Sequence, residues 1–249
     1  MASGHGSEDP ASFAASQLGC KEHWDKVYDG EMANFKSSGE IGEIWFGEDV
    51  AMKMVDWVCD NISDTNARIL DVGCGNGHLL MELASNGYTN LTGTDYSPQA
   101  IELARNVNGG ADSNHGIQFE VQDFLDAQDI ARVAGSDRFD VVLDKGTYDA
   151  ICLKPQDAAG GPAVDQAAIS IYPRSVAASL KDTGVFLITS CNWTEDELVE
   201  RFRDQLVCVG KVKHPSFRFG GAVGQTVTTL AFGKPRDLTL SAFGMSPAT

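Results

Sequence analysis

Short apolar runs alternate along most of the chain with segments that carry apolar residues at helical spacing. The apolar runs are typical of buried strands, and the segments between them are typical of amphipathic helices. Because parallel strands are joined by helical crossovers, this alternation predicts an α/β fold with a mostly parallel sheet and helices on both faces. The predicted strands are 68–72, 90–94, 117–121, 139–143, 185–189, 206–213 and 226–232. The predicted helices are 20–28, 48–62, 78–86, 97–107, 164–181 and 195–203.

The chain differs from this alternation near its two ends. No helix is predicted between the last two strands, so we expect them to pair antiparallel at one edge of a seven-stranded sheet. Residues 1–19 carry few large apolar side chains and are predicted to be disordered. Residues 20–66 are predicted to form a helical cap over the ligand site, 67–234 the main domain, and 235–249 a C-terminal tail.

Composition excludes several classes of function. The 249 residues carry a formal net charge of −16, which disfavours nucleic acids and anionic membranes and favours basic partners. No window has the roughly 18 consecutive apolar residues of a membrane span, and the N-terminus lacks a secretory signal pattern. Six cysteines without a C-x-x-C pair or a histidine cluster predict neither a metal site nor disulfides. We therefore expect a cytoplasmic monomer with no metal.

Residues suited to ligand binding stand at or just after the ends of successive predicted strands. The carboxyl ends of parallel strands meet at one edge of such a sheet, where ligands bind at the point at which the strand order reverses. This coincidence predicts one site at that edge. The residues are Gly73, Asp95, Asp123, Asp144 and Asn192.

A glycine turn follows the first predicted strand, with the sequence I-L-D-V-G-C-G-N-G at 69–77. It lacks the G-x-G-x-x-G spacing of dinucleotide sites, since position 78 is His78, and an oxidoreductase is disfavoured. An acidic residue at the end of the second strand, Asp95, can accept both hydroxyls of a ribose. Asp71 repels phosphate and attracts an ammonium group. Together these features favour a nucleoside that carries an amino acid.

With these motifs the sequence resembles the seven-β-strand class of S-adenosylmethionine-dependent methyltransferases, over about residues 40–233. Four further blocks resemble the elongation factor 1-alpha lysine methyltransferase family. They are E-H-W-D-K-V-Y at 22–28, G-E-I-W-F-G at 42–47, D-K-G-T-Y-D-A at 144–150 and S-C-N-W-T at 190–194. The resemblance implies a Rossmann-like fold, S-adenosyl-L-methionine as cofactor, and a lysine of a basic protein, elongation factor 1-alpha, as substrate.

The resemblance also implies roles for individual residues. The glycine turn would hold the methionine end of the cofactor, and Asp71 would help to hold its ammonium through water. Asp95 would take the ribose with Tyr96 beside it, and Trp45 would lie over the cofactor or close the site. Asp123 would receive the adenine amino group, and Phe124 would pack on the base. The predicted cofactor-binding residues are Trp45, Asp71, Gly73, Cys74, Gly75, Asn76, Gly77, Asp95, Tyr96, Asp123, Phe124 and Asp144.

Methyl transfer from a sulfonium requires alignment and a neutral acceptor amine rather than strong acid or base catalysis. Asp144, or its backbone carbonyl, is expected to orient the amine, although the same carboxylate could instead cap the helix that begins near Gly146. Tyr148 and Trp193 are candidate walls of the acceptor channel, with ordinary packing as the alternative. Asn192 could hydrogen-bond the amine. The predicted catalytic residues are Asp144, Tyr148, Asn192 and Trp193.

Two other functions remain open on sequence alone. The same fold serves small-molecule N- or O-methyltransferases, because a fold does not determine the substrate. A non-catalytic binding module could also keep the fold.

Overall fold

The computed structural model describes residues 14–109, 116–156, 163–219, 222–225 and 227–235. Its centre is a seven-stranded sheet with helices on both faces, which confirms the predicted fold class. The strands are β1 (Ile69–Val72), β2 (Leu91–Asp95), β3 (Gln118–Val121), β4 (Phe139–Lys145), β5 (Leu180–Ser190), β6 (Val207–Val212) and β9 (Thr228–Gly233), and a separate hairpin holds β7 (Ser216–Phe219) and β8 (Ala222–Gln225). The helices are α1 (Lys21–Ser38), α2 (Glu48–Asn61), α3 (His78–Ser85), α4 (Pro98–Val107), α5 (Ala127–Ala134), α6 (Thr147–Ile151), α7 (Gln166–Ser179) and α8 (Glu195–Phe202).

The strand order is β3-β2-β1-β4-β5-β9-β6. The first five strands of this order run parallel, and β9 pairs antiparallel with both β5 and β6. The expected antiparallel pair is therefore present, with its later strand inserted beside β5. The order reverses at β1, whose neighbours are β2 and β4, so the crevice expected for a ligand lies at the carboxyl end of β1.

Alternate residues of the strands point into two separate cores, as the two-residue period of a strand requires. On β1, Ile69 packs with α2, α3 and α4, whereas Leu70 packs with α5, α7 and α8. Both faces of the central strands are buried because helices cover both, and most of their side chains are apolar.

Local signals explain several helix boundaries. Ser97 caps α4 by accepting from the Ala100 N–H, and Pro98 is its first residue. Thr194 and Glu197 form a capping box at the start of α8. Helix α5 was not among the predicted helices, although Asp126 caps it through the N–H groups of residues 128 and 129.

Two predictions near the N-terminus need correction. The helix expected over 20–28 continues to Ser38 and ends at Gly39, whose φ of 79° suits a glycine C-cap. The segment 1–19 was expected to be disordered, but residues 14–19 contact the domain: the Ser16 N–H donates to the Leu153 carbonyl at 3.0 Å. Apolar contacts of Ala15 and Leu18 with the core, together with this hydrogen bond, offset the ordering cost that composition alone suggested.

The other terminal predictions fall largely outside the described residues. These are residues 1–13 and most of the tail 235–249. Within the part of the chain that is described, no helix has the length and apolar character needed to cross a bilayer.

Candidate active site

A cavity of about 290 Å³ opens at the carboxyl ends of β1, β2 and β4, where the strand order reverses. This volume is near the lower end of the range for small-molecule sites, about 300–1,000 Å³. Its floor comes from the turns after these strands, and its cover comes from residues on and near α1. The lining includes Trp24, Tyr28, Trp45, Gly73, Cys74, Gly75, Asn76, Asp95, Tyr96, Gln122, Asp123, Phe124, Lys145 and Thr147.

The glycine turn after β1 needs its glycines for both conformation and space. Gly73, Gly75 and Gly77 have φ of 64°, 53° and 78°, the left-handed region that favours glycine. A Cβ on Gly73 would lie 2.1 Å from the Thr147 Oγ1, and one on Gly75 would lie 2.8 Å from the Tyr28 hydroxyl. The bare turn therefore lets the backbone come close to whatever occupies the cavity, and it leads into the N-terminus of α3.

The carboxylate of Asp95 lies at the end of β2 and is buried. It accepts from the Gly75 N–H at 3.2 Å and from the Ser97 N–H at 2.9 Å, which fixes it against the glycine turn. Burial raises the pKa of this carboxyl to about 6, and the two backbone hydrogen bonds oppose the rise. Since a carboxylate has about four acceptor positions, two remain for ligand hydroxyls.

The turn after β3 supplies the other end of the cavity. The Phe124 ring is buried against the Tyr172 ring and presents an apolar wall. Asp123 is exposed, and its Oδ1 accepts from the Leu125 N–H at 2.9 Å. Gln122, which was not among the predicted site residues, is buried and lines the same wall.

A pair of opposite charges lies at the methionine end predicted for the ligand. Asp71 on β1 is buried behind the glycine turn, and Lys145 at the end of β4 lines the cavity. Burial raises the pKa of the Asp71 carboxyl and lowers the pKa of the Lys145 ammonium, while the charge of each partner opposes the shift of the other. Asp71 itself does not line the cavity, so any action on a ligand would pass through the turn or a bound water.

Three aromatic residues from the N-terminal region line the cavity. Trp24 and Tyr28 project from α1, and Trp45 comes from the segment before α2. The Trp24 and Trp45 rings meet edge to face at 4.8 Å, and the Trp24 indole N–H donates to the Leu18 carbonyl at 2.7 Å. Trp24 also packs with Tyr28 and Met32, as its helical spacing predicts for a core aromatic. That spacing could not reveal that this cluster covers a site.

Comparison with known proteins identifies the family. A methyltransferase domain family matches residues 63–231. EEF1A lysine methyltransferase 2 of Danio rerio is 43% identical over 88% of this chain and 89% of its own length. The human protein of the same name is 39% identical over 92% of each chain, and the protein-lysine N-methyltransferase EFM4 of Saccharomyces cerevisiae is 37% identical over 90% and 97%.

The chain belongs to the EEF1A lysine methyltransferase 2 family. It is thus an enzyme of the methyltransferase class, as the motif blocks implied.

Solved structures share the fold of this methyltransferase at low sequence identity. The PH0226 protein of Pyrococcus horikoshii matches with a TM-score of 0.58 at 13% identity, over 82% of this chain and 99% of that one. A TehB-like SAM-dependent methyltransferase of Corynebacterium glutamicum matches with a TM-score of 0.55 at 17% identity, over 85% and 98%. These similarities show the fold alone.

The side chain of Asp144 does not line the cavity, although the sequence predicted that it would. Its side chain is fully buried and accepts from the Thr147 N–H at 2.8 Å, the Tyr148 N–H at 3.0 Å and the Tyr172 hydroxyl. Burial raises the pKa of this carboxyl to about 7, against these three hydrogen bonds. The carboxylate caps α6, which is the alternative role that the sequence left open for Asp144. The expectation that this side chain orients an amine or touches the cofactor is therefore wrong.

The two aromatic residues predicted as channel walls belong to the core. Tyr148 is 1% exposed and its ring stacks on the Tyr172 ring at 5.0 Å, and Trp193 is 3% exposed. The Arg201 guanidinium lies 3.7 Å from the centre of the Trp193 ring. Neither ring lines the 290 Å³ cavity, because both pack into the core on the α7–α8 side of the sheet.

Asn192 lies at the same edge of the sheet but in a different depression. It lines a second cavity at the ends of β5, β6 and β9, together with Trp193 and Glu195. Asp149 shapes this loop by accepting from the Ser190 hydroxyl at 2.5 Å and the Cys191 N–H at 2.8 Å. The structure therefore does not bring Asn192 together with the glycine turn.

The remaining predicted residues lie around the first cavity. Cys74 and Asn76 line it, and the Asn76 amide also donates to the Ile41 carbonyl at 3.0 Å. Tyr96 lies beside Asp95, with the Lys21 ammonium 5.8 Å from its ring centre. Gly77 does not line the cavity. A Cβ there would lie 2.8 Å from the Phe119 ring, so this glycine serves the packing of the turn.

These residues fit S-adenosylmethionine. The glycine turn accepts a ligand at backbone distance, the buried Asp95 offers acceptors for ribose hydroxyls, and Phe124 offers a flat apolar wall for a base. Among the described residues no cluster of His, Cys, Asp or Glu could hold a metal ion, and the fit involves none.

Proposed function

We propose that this methyltransferase transfers methyl groups from S-adenosylmethionine to a lysine of translation elongation factor 1-alpha. The observation that carries the proposal is the similarity, at 37–43% identity over about nine-tenths of the chain, to proteins named for lysine methylation and, in vertebrates, for EEF1A. The cavity at the strand ends supports the cofactor part of the proposal independently.

In this proposal the residues of the chain mainly bind and align. Asp95 holds the ribose, Phe124 and Gln122 enclose the base, and the turn of 73–77 holds the methionine end. When bound, S-adenosylmethionine supplies a methyl group already activated by its sulfonium. Because the leaving group needs no further activation, holding the reacting atoms roughly 3–3.5 Å apart is the main task of the protein.

The acceptor lysine has to arrive as a neutral amine, since an ammonium has no lone pair to attack with. Its ordinary pKa is about 10.4. Apolar side chains that line the cavity disfavour the charged form and so lower that pKa. These side chains are Trp45, Ala150 and Ile151. Asp144 does not serve as a general base in this proposal, because its carboxylate is directed into the core.

The proposal extends to a basic partner and a cytoplasmic monomer. The net charge of −16 supports a basic protein substrate through electrostatic steering. All six cysteines are free thiols, which is typical of a reducing compartment and supports a cytoplasmic location.

The direct test is incubation of purified elongation factor 1-alpha with the enzyme and S-adenosylmethionine, followed by intact mass measurement and peptide mapping. We expect methyl-sized mass steps at one lysine, lost when that lysine is replaced by arginine. The Asp95→Asn variant serves as a control with impaired cofactor binding. A second incubation uses labelled S-adenosylmethionine and a cell lysate. Label transferred only to the small-molecule fraction of that lysate would favour a small-molecule methyltransferase. Cofactor binding without turnover on any protein would favour a binding module.

A further inference from the structure

The segment 41–47, hereafter the strap, lies between α1 and α2 in the chain and has no regular secondary structure. Two of its residues, Glu43 and Trp45, line the cavity. The strap contains a turn in which the Gly47 N–H donates to the Ile44 carbonyl at 2.8 Å. Phe46 has a φ of 67°, a conformation that residues other than glycine rarely adopt, so contacts elsewhere have to hold it in place.

Side chains from three different elements hold the strap through its backbone. The Asn76 amide, in the glycine turn, donates to the Ile41 carbonyl at 3.0 Å. The Glu31 carboxylate on α1 accepts from the Glu43 N–H at 2.9 Å. The Lys145 ammonium, at the end of β4, donates to the Trp45 carbonyl at 3.0 Å. Only the last of these three bonds reaches the tryptophan that covers the cavity.

Lys145 and the residue that follows it also lie close to the Phe46 ring of the strap. The Lys145 ammonium lies 6.0 Å from the centre of the Phe46 ring. The next residue, Gly146, has a φ of 87°, and a Cβ there would lie 2.9 Å from the Phe46 Cζ. The end of β4 therefore offers one hydrogen-bond donor to the strap and a bare backbone to its aromatic ring.

We propose that Lys145 is a positioning residue, which ties the strap to the sheet so that Trp45 covers the methyl-transfer cavity. The inference rests on the proposed function only for what the cavity binds; the tie itself is a property of the free protein. A simpler role has to be separated from it, namely that Lys145 only neutralises the buried carboxylate of Asp71.

Hydrogen exchange measured by mass spectrometry on the free protein separates the two roles. In Lys145→Met the aliphatic stem remains and the donor is lost, so we expect exchange of peptides covering 41–47 to accelerate roughly tenfold. The double variant Asp71→Asn/Lys145→Met removes both charges, which protects the fold from an unpaired buried carboxylate. Lys181→Met, which removes an ammonium paired with Asp140 at the opposite end of the sheet, is the matched control.

The proposal predicts fast exchange of the strap in both Lys145 variants and wild-type exchange in Lys181→Met. Lys145→Arg, which keeps a donor, should recover most of the protection. Calorimetry should show weaker binding of S-adenosylhomocysteine in the double variant than in Asp71→Asn alone. Wild-type exchange in the double variant would overturn the proposal, because the acceleration would then come from the unpaired Asp71. Since the exchange experiment contains no substrate, failure to methylate elongation factor 1-alpha would leave this result unaffected.

Discussion

The affinity of the enzyme for S-adenosylmethionine should depend on pH through Asp95. Its carboxyl is buried and has a pKa of about 6 in the free protein. Hydrogen bonds from ribose hydroxyls are stronger to the ionised carboxylate than to the protonated acid. The carboxylate is about 91% ionised at pH 7 and about 9% at pH 5, from the titration of a single group. Binding should therefore weaken roughly tenfold between these two values, and the loss should occur as the pH falls through about 6.

The same raised pKa has a consequence for the free protein with the opposite sense. Because the folded state binds the proton more tightly than the unfolded chain, the contribution of Asp95 to stability falls as pH rises from about 4 to about 6. Low pH thus stabilises the free fold at this position while it weakens the ligand complex. The two trends can be told apart by measuring thermal unfolding with and without ligand.

Isothermal titration calorimetry of S-adenosylhomocysteine at pH 5–7 measures the effect on binding. The Asp95→Asn variant should bind about 10- to 100-fold more weakly at pH 7, the range for a lost hydrogen bond to a charged group, and should lose this pH dependence. Asp123→Asn is the matched control for the pH dependence alone, since that carboxylate lines the same cavity but is exposed, and this variant should keep the wild-type slope. Equal affinity at pH 5 and pH 7 in the wild type, or an unchanged slope in Asp95→Asn, would refute the role assigned to Asp95.

Three further substitutions test other parts of the account. Gly73→Ala should lower the free energy of unfolding in urea by about 1–3 kcal/mol, since its Cβ would lie 2.1 Å from the Thr147 Oγ1. Gly87→Ala should lower it less, because Gly87 has a φ of 94° but open space around it. Equal losses of stability in the two variants would contradict the steric reasoning. Asp144→Asn should lower the free energy of unfolding by about 1–3 kcal/mol. Three groups donate to the two carboxylate oxygens of Asp144, and in the asparagine variant at least one of these donors loses its acceptor. Loss of turnover with unchanged stability would instead indicate a chemical role. Asn192→Ala should leave the dissociation constant of S-adenosylhomocysteine within about twofold of wild type, the scatter of a remote surface substitution, and a larger change would place Asn192 at the cofactor after all.

The sheet could be predicted because its signals are local. Each central strand is a short apolar run bounded by a loop, and Ser97-Pro98 marks a helix start within two residues. The insertion of β9 between β5 and β6 could not be predicted. The order of elements along the chain shows that no helix joins the last two strands, but it does not show which of the two lies next to β5. The missed α5 did carry a signal, the Asp126 cap before Ile130 and Val133.

The candidate site was predictable where backbone geometry demands a residue type, and less so elsewhere. A cluster of glycines after a buried strand indicates positive φ, and a carboxylate after the next strand indicates a polar ligand, so 73–77 and Asp95 could be selected from the sequence. An aspartate near the end of β4 can either cap a helix or face a reacting group, and only the folded structure shows that Asp144 points into the core. Trp24 reaches the cavity through the tertiary packing of α1, for which the sequence carries no local signal. Lys145 lies at a strand end, but its hydrogen bond to the Trp45 carbonyl depends on the tertiary packing of the strap and could not be predicted.

The most direct test of the central claim is a crystal structure of the protein with S-adenosylhomocysteine. We expect density that begins at the turn of 73–77, passes Asp95 with the ribose hydroxyls at hydrogen-bond distance, and ends with the base against Phe124. Density in the second cavity beside Asn192, or a base placed away from Phe124, would contradict the account.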